Sequence, residues 1–274
     1  MSLFPSKRRF RFAGMPESRE AFLAATFNVR CPGDRSPNTW EERKDRCFAL
    51  IRKTCMDIFG VQEAHDFQLD DLVSGGEYSF FGKGRDDHAS QGEFCAVLYR
   101  VSRFELLEGE TFGLSEHPEV PGLRSWGSGS PRIATWGLFR DKLTEKEFVF
   151  VNTHLDNRSE LARINGMKLL RKRLSGKRKK YPMILTGDFN APPFSPAWKT
   201  ASAFLRDART VARTPHTGPI QTFHAYGKRT FDYPIDFLFV SPELEVLTHR
   251  TVSSESPQGY ASDHHALIAK MVLK

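Results

Sequence analysis

Short apolar runs alternate with polar segments along this chain, and most of the runs are too brief to be helices. Ala21 to Val29 reads as a central strand that ends at Asn28-Val29-Arg30. A Pro/Gly/Asp loop follows, and then Thr39-x-x-Glu42, a capping-box pattern. Cys47, Leu50, Ile51 and Thr54 continue it at helical spacing and predict a helix from Trp40 to about Asp57. Ile58 to Val61 is a second strand, delivering Gln62-Glu63-Ala64-His65, and a short helix is expected over Phe67 to Val73. Gly82 to Glu93 is polar and glycine-rich, hence a loop. Phe94 to Tyr99 and Phe104 to Leu114 read as an antiparallel pair. Glu116 to Pro131 is a long Pro/Gly/Ser loop, and such lengths in compact domains are often functional.

Arg132 to Arg140 and Phe148 to His154 are again strands, turning at Lys142 to Lys146. Leu161, Ile164, Met167, Leu170 and Leu174 share a helical face, and Gly176 is expected to close that helix. A buried strand starts at Met183 and runs into Gly187-Asp188-Phe189-Asn190. Residues 206–231 read as irregular, Ile235 to Val240 as a strand with Asp236 at its start, and His265 to Leu273 as the last strand. No repeat or linker interrupts the pattern, so residues 1–20 are a polar tail and 21–274 a single domain. Many strands with few helices do not make a doubly wound sheet; two sheets face to face with helices outside fit better, an α+β fold.

The net charge of +7 favours polyanionic substrates as a prior only. The 23 phenylalanines sit mainly in strand-like runs and read as core. Four cysteines without a C-x-x-C pair read as reduced structural thiols. The basic N-terminus is followed by no apolar signal region and no run is long enough to span a membrane, so a cytoplasmic protein is expected.

Asn28, Glu63, His154, Asp188 with Asn190, Asp236, and Asp263 with His264 all stand where strands end or begin. Acids, amides and imidazoles gathered at sheet ends suit a binding or catalytic site. If the strand continued past Gly187, Asp188 and Asn190 would point the same way and could orient a water and deprotonate it. The alternative is an acid capping a turn with Asn in the left-handed region. Glu63 also reads as a helix-start acid, His154 as a satisfied core histidine, and Asp263-His264 as a turn.

Taken in order, Phe27-Asn28-Val29-Arg30, Val61-Gln62-Glu63, Asn152-Thr153-His154, Gly187-Asp188-Phe189-Asn190, Ile235-Asp236-Phe237 and Ser262-Asp263-His264 resemble the motifs of the endonuclease/exonuclease/phosphatase superfamily, metal-dependent phosphoesterases related to pancreatic-type deoxyribonuclease. The strand Arg132-Ile133-Ala134-Thr135-Trp136 is similar to a bacterial branch related to deadenylase-like members. The resemblance implies a four-layer αββα sandwich with two central mixed sheets. It implies Glu63 as ligand to Mg²⁺ or Mn²⁺ with Asn28 and Asp263 beside it, Asp188 as the base acting on water, and Asn190 holding a phosphate oxygen. It further implies Asp236 fixing His264, which stabilises the phosphate, and His154 donating from the other side. Two residues depart from the abasic-site endonucleases: Arg30 stands where they carry an acid, and His154 where they carry Tyr. These departures favour a nuclease-like or small-phosphodiester member, and Arg30 leaves the choice between one metal and two open.

Arg132 reads either as a phosphate clamp or as a structural ion pair, and Arg85 is similar. The run Arg171-Lys172-Arg173 to Lys177-Arg178-Lys179-Lys180 reads as a solvated helix end or as a phosphate-backbone track. Phe194, Trp198 and Trp126 are candidates for stacking on a base. The expected function is Mg²⁺-dependent hydrolysis of a phosphodiester, with nucleic acid among the candidate partners. Phosphomonoester, phospholipid or sugar-phosphate hydrolysis, and a non-catalytic nucleic-acid-binding relative, are the alternatives.

Overall fold

The computed structural model describes residues 20–229 and 231–274; the polar tail expected at the N-terminus otherwise lies outside the described residues. In chain order the elements are β1 (Phe22–Asn28), α1 (Trp40–Thr54), β2 (Ile58–Ala64), α2 (Asp66–Val73), β3 (Tyr78–Phe81), β4 (Phe94–Arg100), β5 (Phe104–Gly113), β6 (Ile133–Asp141) and β7 (Glu147–His154). They continue as α3 (Glu160–Lys180), β8 (Met183–Asp188), α4 (Pro196–Ser202), β9 (Arg206–Asp207), α5 (Ala208–Val211), β10 (Asp236–Val240), β11 (Leu244–Val252), β12 (Glu255–Ser256), β13 (Gly259–Tyr260) and β14 (Ala266–Leu273).

Two mixed six-stranded sheets form the centre, ordered β11-β14-β1-β2-β4-β3 and β5-β6-β7-β8-β10-β9. Apolar side chains from both, including Phe22, Phe104, Phe148, Phe150 and Leu238, fill the layer between them. Outside the first sheet, α1 and α2 bury Trp40, Cys47, Leu50 and Leu69. Outside the second, α3 and α4 bury Met167, Leu170, Leu174 and Ala201. The expected four-layer αββα sandwich is the observed fold, and among the described residues twelve phenylalanines are buried in it, while Phe67 and Phe194 are exposed.

A polar seam crosses the inter-sheet layer. Asn152 on β7 donates its amide across the gap to the carbonyls of Val61 and Ala96, each at 2.8 Å. Its Oδ1 accepts from Gln62 Nε2 at 2.6 Å and from Thr186 Oγ1 at 3.2 Å. Buried polar groups must be satisfied, so this seam fixes how one sheet sits on the other.

Several elements differ from the sequence reading. Helix α1 stops at Thr54 because Cys55 takes the left-handed region, φ 53°, and its N–H returns to Ile51 O at 3.0 Å. Helix α3 runs through Gly176 to Lys180. Its last turns are held by Lys177–Glu108 at 2.5 Å and Arg178–Glu243 at 3.1 Å, and the chain leaves the helix only before Pro182. Three residues of the basic run are thus paired with acids, Arg173 with Glu110 at 2.7 Å included, which favours the solvated helix end for that part of the run. Strand β11 was not expected, because its apolar alternation is broken by Thr248, His249 and Arg250 and its register shifts between Val246 and Thr248.

His249 on β11 is 1% exposed, and its Nδ1 faces His216 Nδ1 at 2.8 Å. Burial, with His216 and Arg209 adding to it, pushes its imidazole down to about 3. An unfolded imidazole titrates near about 6.5, so the folded state binds fewer protons between those values. The neutral ring's contribution is complete above about 6.5 and is lost as pH falls toward 3. His249→Gln should make the loss of unfolding free energy between about pH 7.5 and about pH 5 smaller by about 2 kcal/mol. Urea unfolding at the two pH values checks this; identical pH dependence in the variant would refute it.

Candidate active site

Strand register brings the polar strand ends together. Strands β7 and β8 run parallel with His154 opposite Asp188, and β8 and β10 run antiparallel with Asp188 opposite Asp236. In the facing sheet, β1 and β2 are parallel with Asn28 opposite Gln62. Glu63 follows at a bulge: the β2–β4 register shifts between Gln62 and Ala64, and Glu63 takes φ 63°. A bulge re-aims a side chain, and the turned Glu63 carboxylate meets Asn28 and Arg30. Ser262 Oγ donates to Asn28 O at 2.6 Å and accepts from His264 N at 3.2 Å, docking the Asp263-His264 turn onto the end of β1.

Asp188 is the hub. Its Oδ2 accepts from Asn28 Nδ2 at 3.1 Å and lies 3.5 Å from His154 Nε2 and 3.7 Å from His264 Nε2. Its Oδ1 accepts from Asn190 N at 2.8 Å. Asn190 takes φ 48°, so Asp188 and Asn190 converge through a turn and not, as the alternation argument expected, along a continued strand. Both local readings hold at once: the acid bonds its own turn and also faces the site. Asn190 Nδ2 donates to Leu155 O at 3.0 Å and faces His154 Nε2 at 2.9 Å.

Asn28 differs from the expected oxygen ligand. Its Oδ1 accepts from Arg30 N at 3.0 Å, which turns Nδ2 toward Glu63 Oε1 at 3.0 Å and Asp188 Oδ2. The amide thus bridges two carboxylates and presents no oxygen between them. One ligand atom from each of Glu63, Asp188 and His154 lies within 4.8 Å of the other two, close enough to hold one cation.

Burial pushes the Asp188 carboxyl up to about 7, and Asp236 adds to the shift. Burial opposes charge on His264, but the Asp236 carboxylate, 2.9 Å from Nδ1, outweighs it and holds the imidazole near 10, so this ring is cationic at neutral pH. Burial, aided by the field of Arg132, keeps His154 well below its ordinary value and neutral. A neutral His154 facing the Asn190 amide is set to accept a hydrogen bond there; the expected donor role from Nε2 does not match this arrangement. Burial works against charge on Glu63, but the Arg30 guanidinium and the Asn28 hydrogen bond hold its carboxyl below the usual range.

Glu63, His154, Asp188, Asn190, Asp263 and His264 line a cleft of about 690 Å³. Arg132 and Arg85 both reach its wall, and both are also ion-paired, Arg132 with Asp156 at 3.3 Å and Arg85 with Glu93 at 2.5 Å. The ion-pair reading of Arg132 is the observed one, and its place at the cleft wall leaves the phosphate-clamp reading open. Sequence reasoning missed Asp34 and the aromatic wall of Phe223, Tyr226, Phe231 and Tyr233. Phe231 and Tyr233 stack in parallel at 5.0 Å, and alternate aromatic residues beside Asp236 were the available signal. The proposed stacking residues lie elsewhere. Trp198 bonds Asp207 and packs on Phe239, and the Trp126 carbonyl accepts from Ser159 Oγ. Phe194 is exposed, packs against Trp198 and is not among the residues lining the cleft.

The sequence matches the Endonuclease/Exonuclease/phosphatase family over residues 25–264. It is 29% identical to Nocturnin of Drosophila melanogaster over 187 residues, 63% of this chain and 27% of that protein. It is 28% identical to Protein angel of the same organism over 169 residues, 57% of this chain and 45% of that one. The chain thus spans less than half of either relative's length. Among solved structures, an endonuclease/exonuclease/phosphatase from Bacteroides vulgatus superposes with a TM-score of 0.87 at 36% identity, covering 93% of this chain and 99% of that one. A mannosyl-6-phosphatase of Bacteroides thetaiotaomicron superposes with a TM-score of 0.84 at 29% identity, covering 92% and 100%. The chain belongs to the endonuclease/exonuclease/phosphatase family, whose members are hydrolases acting on phosphoester bonds.

Proposed function

We propose that the chain is a divalent-metal-dependent phosphodiesterase in which Asp188 takes the proton of the attacking water. The observation that carries this is the environment of one carboxyl group. Asp188 lies 3.7 Å from a cationic His264 and shares the Asn28 amide with Glu63. A base poised near neutrality beside a fixed positive charge is suited to proton transfer from water and to the charge that grows on phosphate.

Glu63 would hold the metal, with Asp188 and Asp263 facing it across Asn28 and Arg30. The donors fit Mg²⁺ or Mn²⁺, because carboxylate oxygens dominate and Glu63 is ionised. When bound, such an ion supplies Lewis-acid stabilisation of a phosphoryl oxygen. Asn28 fixes the two carboxylates relative to each other and is a positioning residue. Asp236 holds Nδ1 of His264, leaving Nε2–H for a phosphate oxygen. Asn190 offers its amide N–H at the same place, where an incoming phosphate oxygen competes with His154 for it. Arg132 and Arg85 add positive charge at the cleft wall, and Phe231 and Tyr233 offer flat apolar surface.

With Mg²⁺, bis-p-nitrophenyl phosphate should be hydrolysed faster than p-nitrophenyl phosphate, and chelator should stop the reaction. The monoester is the second reading, supported by the similarity to the mannosyl-6-phosphatase, and a preference for it would replace the diesterase assignment. Tight binding of nucleic acid, without turnover of either ester or any effect of Asp188→Asn, would mark a non-catalytic relative.

A further inference from the structure

Arg30, which stands where the abasic-site endonucleases carry an acid, sits inside the site. Its backbone takes φ 64° just after β1. Its guanidinium grips Asp34 with two bonds, Nε to Oδ2 and Nη2 to Oδ1, both 3.0 Å. Nη1 lies 3.4 Å from Glu63 Oε2, and Nε lies 3.7 Å from Asp263 Oδ2. Three carboxylates from three separate segments therefore surround one planar cation.

That cation is anchored. Arg43 on α1 is fully buried, and its guanidinium donates to the carbonyls of Val29, Arg30, Cys31 and Ala261. The backbone carrying Arg30 is thus tied to the segment leading into Asp263. Tyr226 Oη donates to Asp34 Oδ2 at 2.7 Å, completing that carboxylate's shell from the other side of the cleft.

We infer that Arg30 is a built-in second cation that limits the chain to one divalent ion, bound at Glu63. The inference rests on the reading that Glu63 holds the metal. Asp34, Glu63 and Asp263 bring three negative charges, and the guanidinium cancels one. A second ion would need several oxygen ligands of its own. Both Asp34 oxygens are committed to Arg30, and Glu63 Oε2 is committed to Arg30 and to Cys31 N at 3.1 Å. The guanidinium also aims Glu63: with Oε2 held, Oε1 is the atom left facing Asn28 and Asp188.

Mn²⁺ titration of the whole chain without substrate, read by the electron paramagnetic resonance signal of the free ion, tests this. The wild type should bind one ion, and Glu63→Gln should lose it. Arg30→Ala should bind two, and millimolar guanidinium ion should return the count to one. Arg30→Gln, which better preserves the side-chain volume, carries the same expectation should the alanine variant not fold. A wild-type count of two, or a count of one in both folded Arg30 variants, overturns the inference and leaves the metal reading standing. A wild type that binds no ion, or a Glu63→Gln protein that binds as wild type does, overturns both.

Discussion

Asp188→Asn is expected to lower hydrolysis of bis-p-nitrophenyl phosphate at saturating Mg²⁺ by about 10³-fold or more, the range that a positioned proton acceptor commands. Shape is conserved, so the loss should appear in kcat and not as a failure to fold. The stability balance has two opposing parts. The folded carboxyl sits at about 7, above the ordinary carboxylate value, so at higher pH its ionised form is a burden on the native state. The neutral amide removes that burden. In return an N–H placed at Oδ2 would face the Asn28 Nδ2 donor, which now bonds that oxygen at 3.1 Å. These terms act in opposite directions, and Tm should move by no more than a few degrees, about 1 kcal/mol for a chain of this size. Initial rates and a thermal melt check both parts. A variant retaining more than a tenth of wild-type kcat would remove Asp188 from the chemistry.

His154, Asp188, Asp236 and Asn28 were legible because each stands where an apolar run ends or begins, and a run's end can be read locally. What could not be read was how the ends meet. His154, Asp188 and Asp236 stand side by side only through the registers of β7, β8 and β10, and register is a property of pairs of strands far apart in the chain. The same limit applies to atoms. The resemblance implies Asn28 beside the metal as an oxygen donor, but the bond from Arg30 N takes that oxygen and turns the amide the other way. Arg30 was visible as a departure from a pattern, whereas its cage of Asp34, Glu63 and Asp263 needed the fold. Gly176 shows the converse failure. A glycine near a predicted helix end looked like a stop, yet acids on β5 and before β11 hold the following turn in place. Tertiary contacts there outweigh a residue's local preference.

Gly60→Ala is expected to destabilise the protein by about 3 kcal/mol or more, the upper range for overpacking a tight core. Gly60 lies on β2 directly beneath the polar seam. A methyl group there would overlap Asn152 Oδ1 and Thr186 Oγ1 and would come within 2.5 Å of Asn152 Cγ. Neither neighbour has a cheap way out. Asn152 holds two carbonyls of the facing sheet and accepts from Gln62, so moving it strands several fully buried polar groups. Each such group left without a partner costs about 1–3 kcal/mol. The seam also lies one layer below the chemistry: Asn152 is two residues before His154, Thr186 two before Asp188, and Gly60 three before Glu63. A shift between the sheets would therefore separate Glu63 from Asp188 and lower activity even in molecules that stay folded. Shrinking the obstructing side chain supplies the control. In the Gly60→Ala/Asn152→Ala pair the methyl has room, so the double variant should be more stable than the sum of the single effects, with a coupling of about 1 kcal/mol or more. Urea midpoints of the four proteins measure it. Additive effects, or a Gly60→Ala protein within about 0.5 kcal/mol of wild type, the range of ordinary surface changes, would mean that the seam does not set the spacing of the two sheets.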